Sequence, residues 1–352
     1  MKIAIIFPRF SGPYGGEKIL IETSNELARR GHKITLYVYE YNKICGDYLD
    51  ANIRVIKCRS FKFRRHNLDT FLAYLAMPYL AQKIGRDHDL ILGMTWQSAL
   101  ALWWLCKIRR FRLIPLVYHC FEPPRFLYDL QTVTGNSALA RFAAYFVKRT
   151  DRVSVKSAGA IVAISDYIQK EVKKIYSRDS FKIYPGVEIA RFQKYSREQG
   201  RAILSIPAGQ EVFLSISKLH KRKRLDEALK IFKDRKKDED SIFYIGGAGP
   251  EENNLRQLVK KMGLEKQVVF IGVVLGEKCA QYMASCDYFI FTALNEPFGI
   301  APLEAKVAGA KVIPADSPYP ILSWQESIQE MERLFLKLTS REQKSLFPTD
   351  NI

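Results

Sequence analysis

The sequence is poor in the features that mark secreted scaffolds, membrane-spanning proteins and disordered tails. It has 6 cysteines in 352 residues, Cys45, Cys58, Cys106, Cys120, Cys279 and Cys286, with no Cys-x-x-Cys pair among them. Most lie in apolar stretches, where a free thiol behaves as a small core residue, so a disulfide framework is excluded and a reducing cytoplasm is the expected setting. The longest apolar runs, Phe71 to Ala81 and Ser98 to Cys106, fall well short of the roughly 20 residues that span a bilayer. Met1-Lys2 leads directly into Ile3-Ala4-Ile5-Ile6-Phe7, too short for the apolar core of a secretion signal and read instead as a first buried strand. Low-complexity tracts, short-period repeats and the dinucleotide fingerprint G-x-G-x-x-G are also missing.

Acidic residues are scarce relative to basic ones. Asp and Glu number 37 against 55 Lys and Arg, a net charge of +18, which favours polyanionic partners such as an anionic membrane or a phosphorylated substrate. Nucleic acid is not expected, because no aromatic RNA-binding motif or helix-turn-helix pattern accompanies the charge.

What is present is an ordinary globular composition, 47% hydrophobic and 26% charged, on a chain long enough for two cores. Short β-rich apolar runs alternate with helical patterns from the start, the signature of βαβ units and parallel sheets. Strands are expected at Lys2 to Phe7, Lys33 to Tyr39, Ile53 to Lys57, Asp89 to Gly93, Leu113 to His119, Ala160 to Ile164 and Phe181 to Tyr184. After an irregular stretch near Arg191 to Gly200 the pattern restarts, with strands at Val212 to Ser217, Ser241 to Ile245, Gln267 to Ile271, Tyr288 to Thr292 and Lys311 to Pro314. The expectation is an α/β protein of two Rossmann-like, doubly wound lobes with a ligand cleft between them and a closing helix at about Trp324 to Leu338. Open sheets of this kind bind ligands at the carboxyl ends of their strands.

The richest segment is Glu296-Pro297-Phe298-Gly299-Ile300, with Glu304 eight positions after Glu296. A strand ends near Thr292, and a Pro- and Gly-containing turn opens a helix near Gly299, whose free amides make an anion site. Glu296 lies before the turn and Glu304 inside the helix, so one carboxylate can accept hydrogen bonds from a sugar and the other from a ribose. A helix start with an acidic residue near its positive end and a surface Glu farther on is the plainer alternative.

Ser217-Lys218-Leu219-His220-Lys221-Arg222-Lys223-Arg224 follows a strand and precedes a helix. It places cations where they can neutralise a departing diphosphate, unless it is only a solvated basic loop. Gly15-Gly16-Glu17 joins the first strand to the first helix, where glycines let a ligand approach the backbone or simply make a turn. His119 ends a strand and is either a structural or a site histidine. Gly246-Gly247-Ala248-Gly249-Pro250 closes another strand, beside a nucleotide or as a simple turn.

Together these pieces resemble glycosyltransferase family 4, the retaining GT-B enzymes that include mannosyltransferases acting on lipid-linked acceptors. The resemblance covers nearly the whole chain and rests most on the E-P-F-G-x-x-x-x-E pattern of Glu296 to Glu304, preceded by Ala284-Ser285-Cys286-Asp287. Gly15-Gly16-Glu17, Val162 to Ser165, Tyr184-Pro185-Gly186-Val187 and the glycine loop at 246–250 support it. By that resemblance Glu296 contacts the transferred sugar, Phe298, Gly299 and Ile300 its hydroxyls and phosphates, and Glu304 the ribose. Lys218 and Lys223 hold the diphosphate, Gly15 and Gly16 approach the distal phosphate, His119 lies near the donor sugar, and Gly247 borders the nucleotide. Lys218 stands where the family usually has Arg, giving a point charge in place of a bidentate fork.

The resemblance further implies a nucleotide-diphosphate sugar donor, GDP-mannose or a UDP-sugar, with no metal required and a hexose delivered to a glycan or lipid-linked acceptor. A sugar-nucleotide-binding subunit without its own activity is the alternative. The expected division is residues 1–197 as acceptor-side domain, 198–320 as sugar-nucleotide domain, and 321–352 as a helix and tail packing back toward the first. The second lobe is expected to be short, because Ala315-Asp316-Ser317-Pro318-Tyr319-Pro320 leads directly to the final helix. The basic and aromatic stretch Lys57 to His66 beside the apolar run Phe71 to Ala81 suggests peripheral contact with an anionic membrane at its cytoplasmic face.

Overall fold

The computed structural model describes residues 1–10, 15–58, 72–111, 113–128, 138–315 and 317–340. Ser11 to Tyr14 of the first glycine loop, Arg59 to His66 of the basic stretch, Phe71 and Asp316 lie outside the described residues. The chain divides into two compact units, Met1–Pro185 together with the segment that begins at Trp324, and Gly186–Ser323.

In the first unit, strands β1 (Lys2–Ile6), β3 (Lys33–Val38), β5 (Arg54–Lys57), β6 (Leu90–Met94), β7 (Leu116–Cys120), β8 (Ala160–Ala163) and β9 (Phe181–Lys182) form a parallel sheet in the order β5-β3-β1-β6-β7-β8-β9. A small parallel pair, β2 (Arg9–Phe10) and β4 (Glu40–Tyr41), stands apart from it. Every residue of β6, β7 and β8 is buried, the expected condition of parallel strands covered on both faces, and it explains their unbroken apolar sequences. The expected strand at Leu113 to His119 starts later, at Leu116. Leu113 is exposed, and Pro115, which has no N–H to give a ladder, immediately precedes the strand.

Helices α1 (Gly15–Arg29), α2 (Met77–Gln82), α3 (Ser98–Lys107), α4 (Ala138–Lys156) and α5 (Asp166–Tyr176) belong to this unit, and α3 packs against both α2 and α4. Ser165 caps α5 by accepting from the Ile168 amide at 3.1 Å; such a cap stabilises by about 1 kcal/mol. The apolar runs set aside as too short to cross a bilayer become the segment leading into α2 and the body of α3. Among the described residues no helix is long and apolar enough to cross a membrane.

The second unit has α6 (Arg197–Leu204), β10 (Val212–Ile216), α7 (Leu225–Arg235), β11 (Ile242–Gly246), α8 (Glu252–Met262), β12 (Val268–Gly272), α9 (Gly276–Ser285), β13 (Tyr288–Ile290), α10 (Ile300–Val307) and β14 (Lys311–Ile313). Its parallel sheet runs β12-β11-β10-β13-β14, with β14 at an edge. Phe213, Leu229, Phe232, Phe243, Ile245 and Ile290 are among the fully buried residues of its core.

A charged hub fixes where β10 and β13 begin. Buried Arg201 on α6 donates to Asp287 Oδ2 at 2.8 Å, to the Ser285 carbonyl at 3.1 Å and to the Ala208 carbonyl at 2.6 Å. Asp287 Oδ2 also accepts the Val212 amide at 2.8 Å, and Arg197 donates to Asp287 Oδ1. Cys286-Asp287, quoted above for the resemblance, is thus a structural joint. One carboxylate ties the starts of two neighbouring strands and thereby sets where their far ends emerge.

The chain then returns to the first unit as α11 (Trp324–Thr339). Glu332 on this helix meets Arg30 Nη1 at 3.0 Å and His32 Nε2 at 2.6 Å, and Ser327 donates to the Tyr184 carbonyl at 2.6 Å. Trp324, Ile328, Met331 and Phe335 supply its buried face.

Candidate functional site

In the second sheet β10 pairs with β11 on one side and β13 on the other. Strand order therefore reverses at the β10/β13 boundary, the switch point where open α/β sheets leave a crevice at their carboxyl ends. The loops leaving these strands carry the two motifs singled out above, residues 217–224 after β10 and 291–299 after β13.

The glycine loop after β11 supports the first of them. Ser217 donates its amide to the Gly246 carbonyl at 3.0 Å, Leu219 to Ala248 at 3.0 Å, and Glu251 to Leu219 at 3.1 Å. Gly247 has φ +131°, and a Cβ there would lie 3.0 Å from the Ser217 carbonyl carbon and closer still to its oxygen. Gly247 is required because two backbones touch. That is a structural reason for the residue, separate from any contact with a nucleotide.

Beyond Ser217 the loop places Lys218 in solvent and buries Leu219. It then makes a single 3-10 turn, Lys221–Lys223, in which the Lys223 amide donates to the His220 carbonyl at 2.8 Å. Arg224 closes the turn in the left-handed conformation, with φ 48°. Thr292 reaches across from the end of β13, its Oγ1 lying 2.8 Å from the Lys223 carbonyl oxygen and 2.9 Å from that of Arg224.

This clamp brings the two expected groups into contact. Lys223 Nζ lies 2.8 Å from Glu296 Oε2, and Arg222 Nη2 lies 3.7 Å from the same oxygen. The side chains of Lys223 and Glu296 retain about a fifth of their exposure, 20% and 21%, so the pair is partly shielded yet open to a ligand. A sugar hydroxyl can reach the carboxylate and a phosphate the ammonium. Arg222 was readable only as one cation in a run, and only the fold singles it out.

Gly299, at φ 75°, opens α10. Phe298 is buried and stacks on Tyr319, with ring centroids 4.8 Å apart and planes at 22°. Ile300 is the first residue of α10, and Glu304 stands one turn farther on, 6% exposed. The surface-Glu alternative is therefore overturned. A carboxylate that deep needs hydrogen-bonding partners.

The first unit has its own switch point, since β1 pairs with both β3 and β6. Gly15 and Gly16 open α1, the first helix to follow β1 and β2 in the chain. Among the described residues a Cβ on Gly15 would meet nothing within 4 Å, and one on Gly16 only the Phe121 ring, at 3.6 Å. Packing does not demand glycine here, in contrast to Gly247. Phe121 also sits edge-on to His119, centroids 4.9 Å apart. His119 is 2% exposed, and among the described residues neither ring nitrogen has a hydrogen-bond partner. Burial pushes its pKa down to about 3, so at neutral pH it is an uncharged imidazole with polar atoms left unmatched.

A second buried group escaped the sequence reading. Asp151 on α4 accepts from Tyr128 at 2.6 Å and Tyr176 at 2.9 Å, and burial raises its pKa to about 7. Two Asp-x-Asp tripeptides, Asp87-His88-Asp89 and Asp238-Glu239-Asp240, precede β6 and β11 at the opposite ends of those strands from the loops above. They hold turns: Asp89 accepts the Lys2 amide at 2.7 Å and Asp238 the Ser241 amide at 3.0 Å. Among the described residues no group of three or more His, Cys, Asp or Glu is arranged to hold a metal ion.

Comparison with known proteins agrees in sequence and in shape. Residues 13–191 match the family described as Glycosyltransferase Family 4, and residues 196–322 that described as Glycosyl transferases group 1. The chain is 25% identical over 326 residues to an alpha-monoglucosyldiacylglycerol synthase of Streptococcus pneumoniae, covering 89% of this chain and 70% of the relative. It is 23% identical over 360 residues to the alpha-1,3/1,6-mannosyltransferase ALG2 of Dictyostelium discoideum, covering 91% and 83%. Among solved structures, HepE of Anabaena, in complex with UDP and glucose, superposes with a TM-score of 0.67 at 21% identity, covering 98% of this chain and 91% of that one.

Proposed function

The chain belongs to glycosyltransferase family 4 and is a glycosyltransferase of the GT-B fold, and from that premise we propose that it moves a hexose, with mannose favoured, from a nucleotide-diphosphate sugar to a lipid-linked or glycan acceptor, with retained configuration. One observation carries the reading: Glu296, Lys223 and Arg222 converge beside the opening of α10, at the switch point of the second sheet.

In this reading the diphosphate lies against Lys218 and Lys223 and the first amides of α10, at Phe298, Gly299 and Ile300, where the positive end of the helix favours an anion. Glu296 accepts hydrogen bonds from the sugar hydroxyls and Glu304 from the ribose. Gly247 borders the nucleotide, Gly15 and Gly16 are assigned to the distal phosphate, and His119 to the sugar, to which a neutral imidazole offers one donor and one acceptor. The bond from the anomeric carbon to the phosphate oxygen breaks as the bond to the acceptor oxygen forms on the same face. The acceptor's proton passes to the leaving phosphate. Charge accumulates on that phosphate, and cations already in place stabilise it without reorganisation. The donor is GDP-mannose or a UDP-sugar, and the scheme needs no metal. Residues 1–197 serve the acceptor and 198–320 the donor, and the helix Trp324–Thr339 ties back to the first unit.

A lipid-linked acceptor lies in a bilayer, and we assign the enzyme a peripheral contact with an anionic membrane at its cytoplasmic face. The first unit supports this. Leu75, Tyr79, Ile108, Tyr145, Phe146 and Val153 are exposed along the layer of α2, α3 and α4. Arg149, Arg152 and Lys156 are exposed on α4, while α2 and α3 contain no acidic residue and the one in α4, Asp151, is buried. Aromatic residues among cations, with acids withheld, suit a headgroup interface.

The donor assignment is tested by thermal shift with GDP-, UDP- and ADP-sugars. A ligand at 100 times its dissociation constant stabilises by about 2.7 kcal/mol, so one nucleotide is expected to raise Tm by several degrees. A flat response to all three refutes the donor site.

A further inference from the structure

Thr292 carries no charge and none of the roles above, yet it is bonded to the turn that bears Lys223 and lies on the loop that bears Glu296. Its Oγ1 faces the carbonyl oxygens of Lys223 and Arg224, at 2.8 and 2.9 Å, and a hydroxyl has one proton to share between them. Its backbone stands four residues before Glu296 on the same loop. One end of the ion pair is thus tethered through the Lys223 carbonyl and the other through the chain that follows Thr292.

The turn it holds is one that an ordinary residue resists. Arg224 sits at φ 48°, ψ 47°, a left-handed conformation that brings the Cβ of an L-residue too close to the following carbonyl oxygen. Such conformations persist only where the surroundings over-determine them. Around Arg224 the restraints include its own amide donating to the Lys221 carbonyl at 3.1 Å, its carbonyl accepting the Glu227 and Ala228 amides at 3.0 and 3.3 Å, its guanidinium on Glu227 at 3.2 Å, and the Thr292 hydroxyl. Of these, only the hydroxyl comes from the segment that follows β13 and leads into Glu296.

We infer that Thr292 is a positioning residue for sugar transfer: its hydroxyl holds the left-handed turn at Arg224 closed and thereby fixes Lys223 against Glu296. The inference rests on the reading of Lys223 and Glu296 as donor-site groups. Thr292 itself need touch neither substrate.

The test uses the full chain and, as probes, UDP-glucose and GDP-mannose, following release of free sugar in the absence of acceptor. Thr292→Val keeps the β-branched shape but replaces the hydroxyl with a methyl, which needs about 3.3–3.6 Å from a carbonyl oxygen, so the turn is pushed away. Misplacement by part of an ångström is expected to lower kcat about ten-fold, with KM changed less than about three-fold and Tm nearly unchanged. Thr292→Ser, which keeps the hydroxyl, is expected to restore kcat to within about two-fold of the parent.

The distinguishing readout is a double-mutant cycle with Arg224→Gly. Glycine adopts the left-handed turn without strain, so the kcat cost of Thr292→Val should shrink to about three-fold or less in that background. An equal cost in both backgrounds, or a folded Thr292→Val with parental kcat, overturns the inference while the donor reading stands. A parent protein that neither binds nor cleaves any donor overturns the donor reading, and the inference with it.

Discussion

Replacing Gly247 with alanine is expected to damage the second unit far more than the same change at Gly15. At Gly247 the new methyl would sit 3.0 Å from the Ser217 carbonyl carbon and closer to its oxygen, where a carbon–oxygen contact needs about 3.3–3.6 Å. Backbone faces it, so no side chain can swing away. The β10 loop must move by on the order of 1 Å or the 247 turn must open, and φ +131° adds strain of roughly 1–3 kcal/mol for any residue with a Cβ. Together these give a loss of at least 3 kcal/mol, a large fraction of the 5–15 kcal/mol typical of a domain. Moving that loop also moves Lys218 and Lys223. At Gly15 the methyl meets nothing within 4 Å among the described residues and enters a helix start, so stability is expected to stay within about 1 kcal/mol. Urea unfolding of both variants decides it, with nucleotide binding followed in parallel. A Gly247→Ala protein within about 1 kcal/mol of the parent would refute the reasoning.

The pH dependence of the first unit offers an independent check. Folded Asp151 keeps its proton up to about pH 7, whereas the unfolded chain releases it near 3.9. Ionised Asp151 therefore costs stability progressively as pH rises through that window, on the order of 4 kcal/mol above it. Asp151→Asn should be more stable relative to the parent at pH 8 than at pH 4.5, as measured by urea unfolding at both values. A pH-independent difference would contradict the assignment. Changing Arg149, Arg152 and Lys156 together to Gln removes three cations worth about 1 kcal/mol each at an anionic surface, so affinity for phosphatidylglycerol vesicles should fall about a hundred-fold. Sedimentation equal to the parent's, or equal with neutral vesicles, would remove the membrane face.

The alternation of strands and helices was legible because parallel strands covered on both faces leave continuous apolar runs, as at Leu90–Met94 and Ala160–Ala163. The motif around Glu296 was legible for a different reason. Glu296, Gly299 and the cations at 218–224 are residue types whose charge or conformational freedom has few other uses at strand tips. That the two groups face each other was expected from the resemblance, but which cations reach Glu296 was not legible, because it depends on β10 and β13 being neighbours, a pairing of strands more than 70 residues apart in the chain (Phe213 with Tyr288). Thr292 was read only as the last residue of a strand, since a hydroxyl that bonds two carbonyls leaves the same letter as one facing water. Asp151 was hidden in the opposite sense. It lies in a run of cations on an amphipathic helix, where a carboxylate is expected to face solvent, and three-dimensional packing against Tyr128 and Tyr176 turns it inward. Gly247 was singled out as part of a glycine cluster, but whether a ligand or a backbone required the space could be answered only by the position of Ser217.

The central claim, that Glu296 works on a sugar donor held at the switch point of the second sheet, is tested most directly by following a labelled hexose. Membrane lipid extract serves as acceptor, and the donor is the nucleotide sugar that stabilises the protein. The parent is expected to label the lipid fraction, and Glu296→Ala to lose at least a hundred-fold in rate while its nucleotide affinity stays within a few-fold. Transfer by Glu296→Ala at the parental rate would contradict the account.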